Sequence, residues 1–402
     1  MGKTRKNNKK KKKSKPLSGA TLHNNFVSEA GPGCFIVRRS DGSSKKTKNP
    51  DWMIGWEDVD PEDFGIDVND DSEWIECEVP DIAMDPDEFT LSVCNVHSYT
   101  KVAYVTVFET SVRGANGKEL AQGSTTNNNG ETVACTTFIV LCPPCVFAHL
   151  CYLGVSSDEE LHNIRIESDV SKWNQHPNPS DEHPYRIGFP LSCNNSLAAG
   201  GNAVSFLCTQ GEDGELTHFF SGNLHAFDFR CPVGTELLAV ADGTIVEAND
   251  KNILTGIAVT NLFKWNSILL QIETIEANGD DCTGGKDDRR SEVGGDEPLF
   301  VEYVHIMESM VRAGDRVKRG QVIGYSGSVG FSPEPHLHFS AFRSSDAEAP
   351  TVRVRFENYN SREREGNNRH DGDPITFLPR AGKWYNRDGI VEKAASTDVD
   401  KV

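Results

Sequence analysis

The sequence predicts an all-β protein, on three observations. Apolar and polar residues alternate with period two in short runs. Clusters of Gly, Asn and Asp separate those runs as turns would. One run, Pro335-His336-Leu337-His338-Phe339, sets two imidazoles against two apolar side chains in strict alternation.

The elements follow in chain order. Residues 1–16 hold eight Lys and one Arg with no acid, and such a block is expected to be a solvated, disordered basic tail. Residues 17–87 are rich in Gly, Asp and Pro, with an acidic run from Glu57 to Glu73, and are expected to be loosely ordered. From about residue 88 the pattern changes. Phe89 to Val93, Val102 to Phe108 and Thr136 to Leu141 read as strands, with turn clusters at Gly114 to Gly117 and Asn127 to Gly130. Residues 88–180 are therefore expected to form a β-sandwich-like module.

A second β-rich region covers 184–345, with strands at Glu236 to Val240, Thr244 to Ala248, Ser267 to Ile272 and Leu299 to His305. The segment Val311 to Gly324 reads as two short strands around the Gly314-Asp315 turn, the hairpin of a curved, barrel-like β fold. A polar loop, Ala277 to Pro298, interrupts the region. Loops of that length inside a compact domain are usually functional or disordered, and this one is expected to border the cleft. Thr351 to Phe356 reads as one more strand within an extension over 346–385, and 386–402 as a frayed tail.

Composition narrows the function. The net charge is −19 despite the basic tail, which excludes nonspecific nucleic-acid binding by the folded body. No apolar run approaches the length of a membrane span. The Lys run passes straight into Pro16-Leu17-Ser18-Gly19 without the apolar core of a secretory signal, so an intracellular location is expected. Eleven cysteines, an odd number in no regular framework, fit reduced thiols. Cys142-Pro143-Pro144-Cys145 has C-x-x-C spacing but follows a strand pattern, and buried or loop thiols are preferred there to a metal.

The residues fit for chemistry lie in the second region. Residues i and i+2 of a strand share a face, so His336 and His338 project together while Leu337 and Phe339 face the core. Paired imidazoles serve a metal better than they serve packing. Asp228 sits between Phe227 and Phe229 in a strand-like run, where a carboxylate is costly to bury unless paired or metal-bound. His305 ends the strand of Tyr303-Val304-His305. No H-E-x-x-H occurs, which excludes a thermolysin-type zinc site.

In order, these pieces resemble the lysostaphin and LytM family of zinc metallopeptidases. The resemblance is carried by Asp228, Pro232-Val233-Gly234-Thr235, Ala239 to Val246 with Asp242-Gly243 inside it, Tyr303-Val304-His305, Gly314 to Gly324, and Pro335 to Phe339. It implies a curved antiparallel β-sheet of the barrel-sandwich-hybrid type. It also implies one Zn²⁺ ion held by a first His, Asp228 and His338, with His305 and His336 as general base and donors to the oxyanion. A catalytic zinc takes three protein ligands, leaves one position for water, and brings that water's pKa toward about 7. The implied reaction is hydrolysis of peptide bonds, with peptidoglycan-type cross-link peptides as the usual substrates.

The chain departs from the family at the first His. The expected position, four residues before Asp228, is Leu224. His225 is three residues before Asp228, so it points to the opposite face of a regular strand unless a bulge intervenes. His218, in Thr217-His218, resembles a family variant in which an S-H or T-H precedes the Asp by a short hairpin, and the strand-face argument favours it. Two other readings stand beside the enzyme. One is a non-catalytic binding or structural protein on a degenerate peptidase domain, which would have no need to keep Asp228, His305, His336 and His338. The other is a biotinyl- or lipoyl-type carrier built on the Gly314 to Gly324 hairpin, where Lys318 lacks the expected neighbours.

Overall fold

The chain is described here by a computed structural model covering residues 33–39, 50–65, 79–173, 185–193, 204–212, 218, 222–273, 298–346, 349–358 and 375–391. The basic tail over 1–16 and nearly all of the Ala277 to Pro298 loop lie outside them. The described residues are almost entirely β. None of their helices is long and apolar enough to cross a membrane.

The larger sheet has nine strands. Their order is Arg316–Val317, Gly243–Asn249, Ser267–Ile272, Leu299–Val304, His336–Phe342, Phe227–Arg230, Phe206–Gln210, Lys383–Asn386 and Gly389–Val391, and every neighbouring pair is antiparallel. This sheet curls into a half-barrel. A three-stranded sheet, Glu236–Leu238, Val322–Ser326 and Ile306–Ser309, shares its core. Phe227, Phe229, Leu270, Tyr303, Leu337 and Phe339 of the large sheet meet Leu237, Ile306 and Ile323 of the small one, all at most 2% exposed. Each such Phe or Leu contributes about 1.5–3 kcal/mol relative to exposure.

Tyr303 joins the two sheets by a polar link through that core. Its hydroxyl donates to Leu238 O at 2.9 Å and accepts from Val240 N–H at 3.0 Å. The phenol is fully buried, so burial pushes it far above the usual tyrosine range.

Residues 34–172 form two sheets face to face. One holds Gly55–Asp58, Val146–Leu153, Thr90–Asn95 and Ile82–Asp85 in that order, with Val112–Arg113 on Val146–Leu153. The other runs Ile166–Lys172, Lys101–Phe108, Thr132–Cys142 and Gly123–Thr126, with Cys34–Arg38 parallel to Thr132–Cys142. Leu91, Val93, Ala148 and Leu150 of the first face Ala103, Val105, Phe138 and Val140 of the second across one core. This is a sandwich, as the alternation predicts.

Three boundaries differ from the sequence reading. Cys34–Arg38, Gly55–Asp58 and Ile82–Asp85 lie within 17–87 yet are strands of the sandwich: the first two pair with strands far along the chain that no local pattern reveals, and Ile82–Asp85 pairs with the next strand, Thr90–Asn95. Val354–Glu357 pairs with Tyr185–Ile187 and Thr376–Phe377, so the extension completes the core beneath the large sheet. Lys383–Asn386 and Gly389–Val391 close one edge of the large sheet, so order continues past the expected tail boundary at 386.

The two β regions also share a sheet. Thr255–Gly256 pairs with Thr125 on one side and with Gly330–Phe331 on the other. Gly256 has φ 108° and a Cβ there would lie 2.2 Å from Ser124 O, so only glycine fits this crossing. Thr137 Oγ1 donates to Ile257 O, and Val259 N–H donates to Thr106 Oγ1.

Tyr303→Phe should leave the Val240 N–H and the Leu238 carbonyl without their buried partner. We expect a loss of about 1–3 kcal/mol in urea unfolding with the β-rich circular dichroism unchanged. An unchanged midpoint would show that the hydroxyl link contributes nothing.

Candidate metal centre

The site is built on the pleat. Phe227 and Phe229 are buried in the core, which turns Asp228 and Arg230 to the opposite face of their strand. The neighbouring strand places His338 directly across from Asp228 and His336 across from Arg230. Leu337 and Phe339 fill the core on the other face. The other neighbour of His336–Phe342 ends at Val304, opposite His338. His305 follows with φ 64°, a left-handed conformation rare for a residue with a Cβ. That turn is closed by Gly327, where a Cβ would lie 2.7 Å from His305 O.

The first-ligand position is reached from the far side of Asp228. Phe206–Gln210 pairs with Phe227–Arg230, and the register slips between Cys208 and Gln210. A bulge of this kind re-aims side chains. Here it faces Gln210 to Asp228, and its amide donates to Asp228 Oδ2. The chain after Gly211 brings in His218, which is fully buried.

The distances define one cluster. His338 Nδ1 lies 2.9 Å from Asp228 Oδ1, and His218 Nε2 lies 3.4 Å from the same oxygen. The donor atoms of His218, Asp228 and His338 all lie within 4.8 Å of one another. His336 Nε2 is 3.8 Å from Asp228 Oδ1, and the His305 and His336 rings are 4.6 Å apart. His225, the other candidate, is not in the cluster. Its Nε2 faces Glu212 Oε1 at 3.5 Å, and its Nδ1–H donates to Thr351 O.

Backbone carbonyls fix three tautomers, because a carbonyl can only accept. His218 Nδ1–H donates to Gly211 O at 3.3 Å, His336 Nδ1–H to Glu334 O at 2.8 Å, and His305 Nδ1–H to Val329 O at 2.7 Å. Each ring therefore keeps the Nε2 lone pair. His218 Nε2, wholly buried, makes no hydrogen bond. An aligned acceptor lone pair with no donor is what a cation ligand presents. Four bonds of about 2.0–2.1 Å in a tetrahedron space their donors about 3.4 Å apart, so the donor set fits one small cation.

The charges agree. Burial pushes the Asp228 carboxyl up, but the imidazoles of His218, His336 and His338 outweigh it and hold the group well below the usual carboxylate range. Burial pushes His338 below the ordinary imidazole value against the pull of Asp228. Burial, reinforced by His336 and His338, pushes His305 well down. Burial thus favours the neutral form of His305 and His338 beside one ionised carboxylate, the protonation a metal requires.

Several contributors have no local mark in the sequence: Gln210 on Asp228, the carbonyls of Gly211, Val329 and Glu334, and Ser332, whose Oγ lies 3.2 Å from His336 Nδ1. Among the described residues the nine cysteines are free of disulfides, and Cys142 and Cys145 are not part of the metal-type cluster. Lys318 pairs with Asp242 at 2.8 Å.

The chain is similar to known peptidases over part of its length. Residues 292–350 match peptidase family M23. The glycyl-glycine endopeptidase ALE-1 of Staphylococcus capitis is 32% identical over 151 residues, covering 37% of this chain and 33% of that protein. Lysostaphin of Staphylococcus simulans is 29% identical over 181 residues, covering 44% and 29%. The peptidoglycan DD-endopeptidase ShyC of Vibrio cholerae is 27% identical over 112 residues, covering 28% and 18%. This chain thus spans at most a third of the length of these relatives. Among solved structures, the lysostaphin catalytic domain of S. simulans aligns over 42% of this chain and 88% of its own, at 25% identity and a TM-score of 0.22. Motifs and sequence matches converge on one conclusion: the chain carries a peptidase M23 domain of the lysostaphin and LytM type.

Proposed function

We propose that this domain is a zinc-dependent metalloendopeptidase that hydrolyses peptide bonds, with cross-link peptides of the peptidoglycan type as its substrate class. The observation that carries the reading is the meeting of His218, Asp228 and His338 beside two imidazoles whose tautomers are fixed. The substrate class is supported by the relatives, which are named for glycyl-glycine and peptidoglycan endopeptidase activities.

His218, Asp228 and His338 would hold the ion, which supplies Lewis acidity and activates water when bound. The remaining chemistry falls to the chain. His336 keeps its Nε2 lone pair toward the cluster and its Nδ1–H on Glu334 O, the arrangement of a general base. His305 stands against His336 with its own Nε2 turned inward. As the ring gains a proton it becomes a donor to developing negative charge on the carbonyl oxygen.

Three outcomes test this reading. The purified protein should contain one zinc per chain and His338→Ala should lose it; equal zinc in both would place the metal elsewhere. His336→Ala should retain zinc while kcat on pentaglycine or cell-wall peptides falls about 10²–10⁴-fold. Peptide release at the wild-type rate would remove His336 from the chemistry.

The third concerns acid. His305 and His338 titrate below the ordinary imidazole value when folded, so the unfolded chain takes up protons first as pH falls. In the presence of a chelator, the urea midpoint should therefore drop from pH 7.5 to pH 5.5, and less steeply in His305→Gln. A midpoint independent of pH would contradict the burial of these rings.

A further inference from the structure

We propose that Glu212, held by Arg353 and packed beside His225, is a positioning residue for the metal ligand His218; the inference rests on the metal reading above. Three consecutive residues divide the work. Gln210 donates its amide to Asp228 Oδ2. Gly211 gives its carbonyl to His218 Nδ1–H. Glu212 takes the Nε and Nη2 of Arg353 on one carboxylate oxygen, and His225 Nε2 lies 3.5 Å from that same oxygen.

The clamp ties together the segments that carry the ligands. His225 precedes Asp228 by three residues and is fixed twice by Thr351, through its backbone N–H on Oγ1 at 3.1 Å and its Nδ1–H on O at 3.2 Å. Arg353 lies two residues further along that segment. The Glu212 carboxylate thus joins the chain leading to His218, the chain leading to Asp228 and the 351–353 segment. Its side chain is 13% exposed and that of His225 only 7%. A carboxylate so desolvated holds its partners in a narrow geometry.

The Gly211 carbonyl is one peptide away. Releasing Glu212 frees that peptide to rotate, and His218 then loses the acceptor that fixes its tautomer and ring direction. Groups that orient a ligand in this way typically account for about 10–100-fold in metal affinity. The clamp also gives His225 a place in the site other than on the metal. It holds the frame on which His218 is hung.

Zinc affinity, measured on the full chain by competition with a chromophoric chelator, tests this without reference to turnover. Glu212→Gln and Arg353→Gln should each weaken zinc about 10–100-fold, and Arg353→Lys, which keeps the charge, should recover part of the loss. Glu357→Gln serves as control. It breaks a comparably buried pair, Arg319 Nη1 to Glu357 Oε2 at 2.8 Å, and should lower the melting temperature while leaving zinc affinity within about twofold. Arg353 is 39% exposed, so its variants decide the matter should Glu212→Gln fail to fold. Wild-type affinity in Glu212→Gln and Arg353→Gln, or an equal loss in Glu357→Gln, would overturn the assignment. A wild type without stoichiometric zinc, or one whose zinc survives His338→Ala, would instead overturn the metal reading beneath it.

Discussion

A buried carboxylate governs this structure. Asp228 is 3% exposed and flanked in sequence by two phenylalanines of the core. Removing a carboxylate from water carries a penalty of several kcal/mol, which only close, aimed partners offset. The fold supplies them from four directions. His338 comes from the adjacent strand, His218 from the far side of Asp228, Gln210 from the bulge in the other neighbouring strand, and His336 from two residues before His338. The bulge at Cys208 to Gln210 and the carbonyl contacts on the imidazole rings follow from that need. With His218 Nε2 left unbonded, the arrangement has a lone pair more than hydrogen bonding uses, one that a divalent cation would take up.

The sandwich is coupled to this centre through backbone. Thr106, Thr125 and Thr137 of the sandwich bond to the 255–261 segment. That segment in turn takes the N–H groups of Gly330 and Ser332 on Leu254 O and Gly256 O. Val329 and Ser332 are partners of His305 and His336. The rings assigned to proton transfer are thus held by a loop whose far side is a strand of the neighbouring β region. An enzyme site needs its reacting groups fixed to fractions of an ångström, and a sheet is a stiffer support than a free loop.

Much of the peptidase fold was legible in the sequence, because strands leave a period-two signature. Pro335 to Phe339 gave the orientation of His336 and His338, and the Phe227-Asp228-Phe229 run gave that of Asp228. The choice between His218 and His225 turned on the same pleat. What the sequence did not disclose was non-local. Cys34–Arg38 and Gly55–Asp58 are short and have no pattern of their own; they are strands because distant partners recruit them. The shared sheet at Thr255–Gly256 is two residues long. Gln210, Gly211 and Glu212 carry no local mark of a site. Their roles exist only once the bulge and the fold place them beside Asp228, His218 and Arg353.

The central claim is that two imidazoles and one carboxylate surround a single zinc ion. Zinc K-edge X-ray absorption on the purified protein measures this directly. The account predicts a shell of nitrogen and oxygen at about 2.0–2.1 Å with imidazole scattering from two histidines and no sulfur. Cys208 and Cys231 are buried in the same core, so a sulfur shell near 2.3 Å would contradict it and move the metal to a thiolate site.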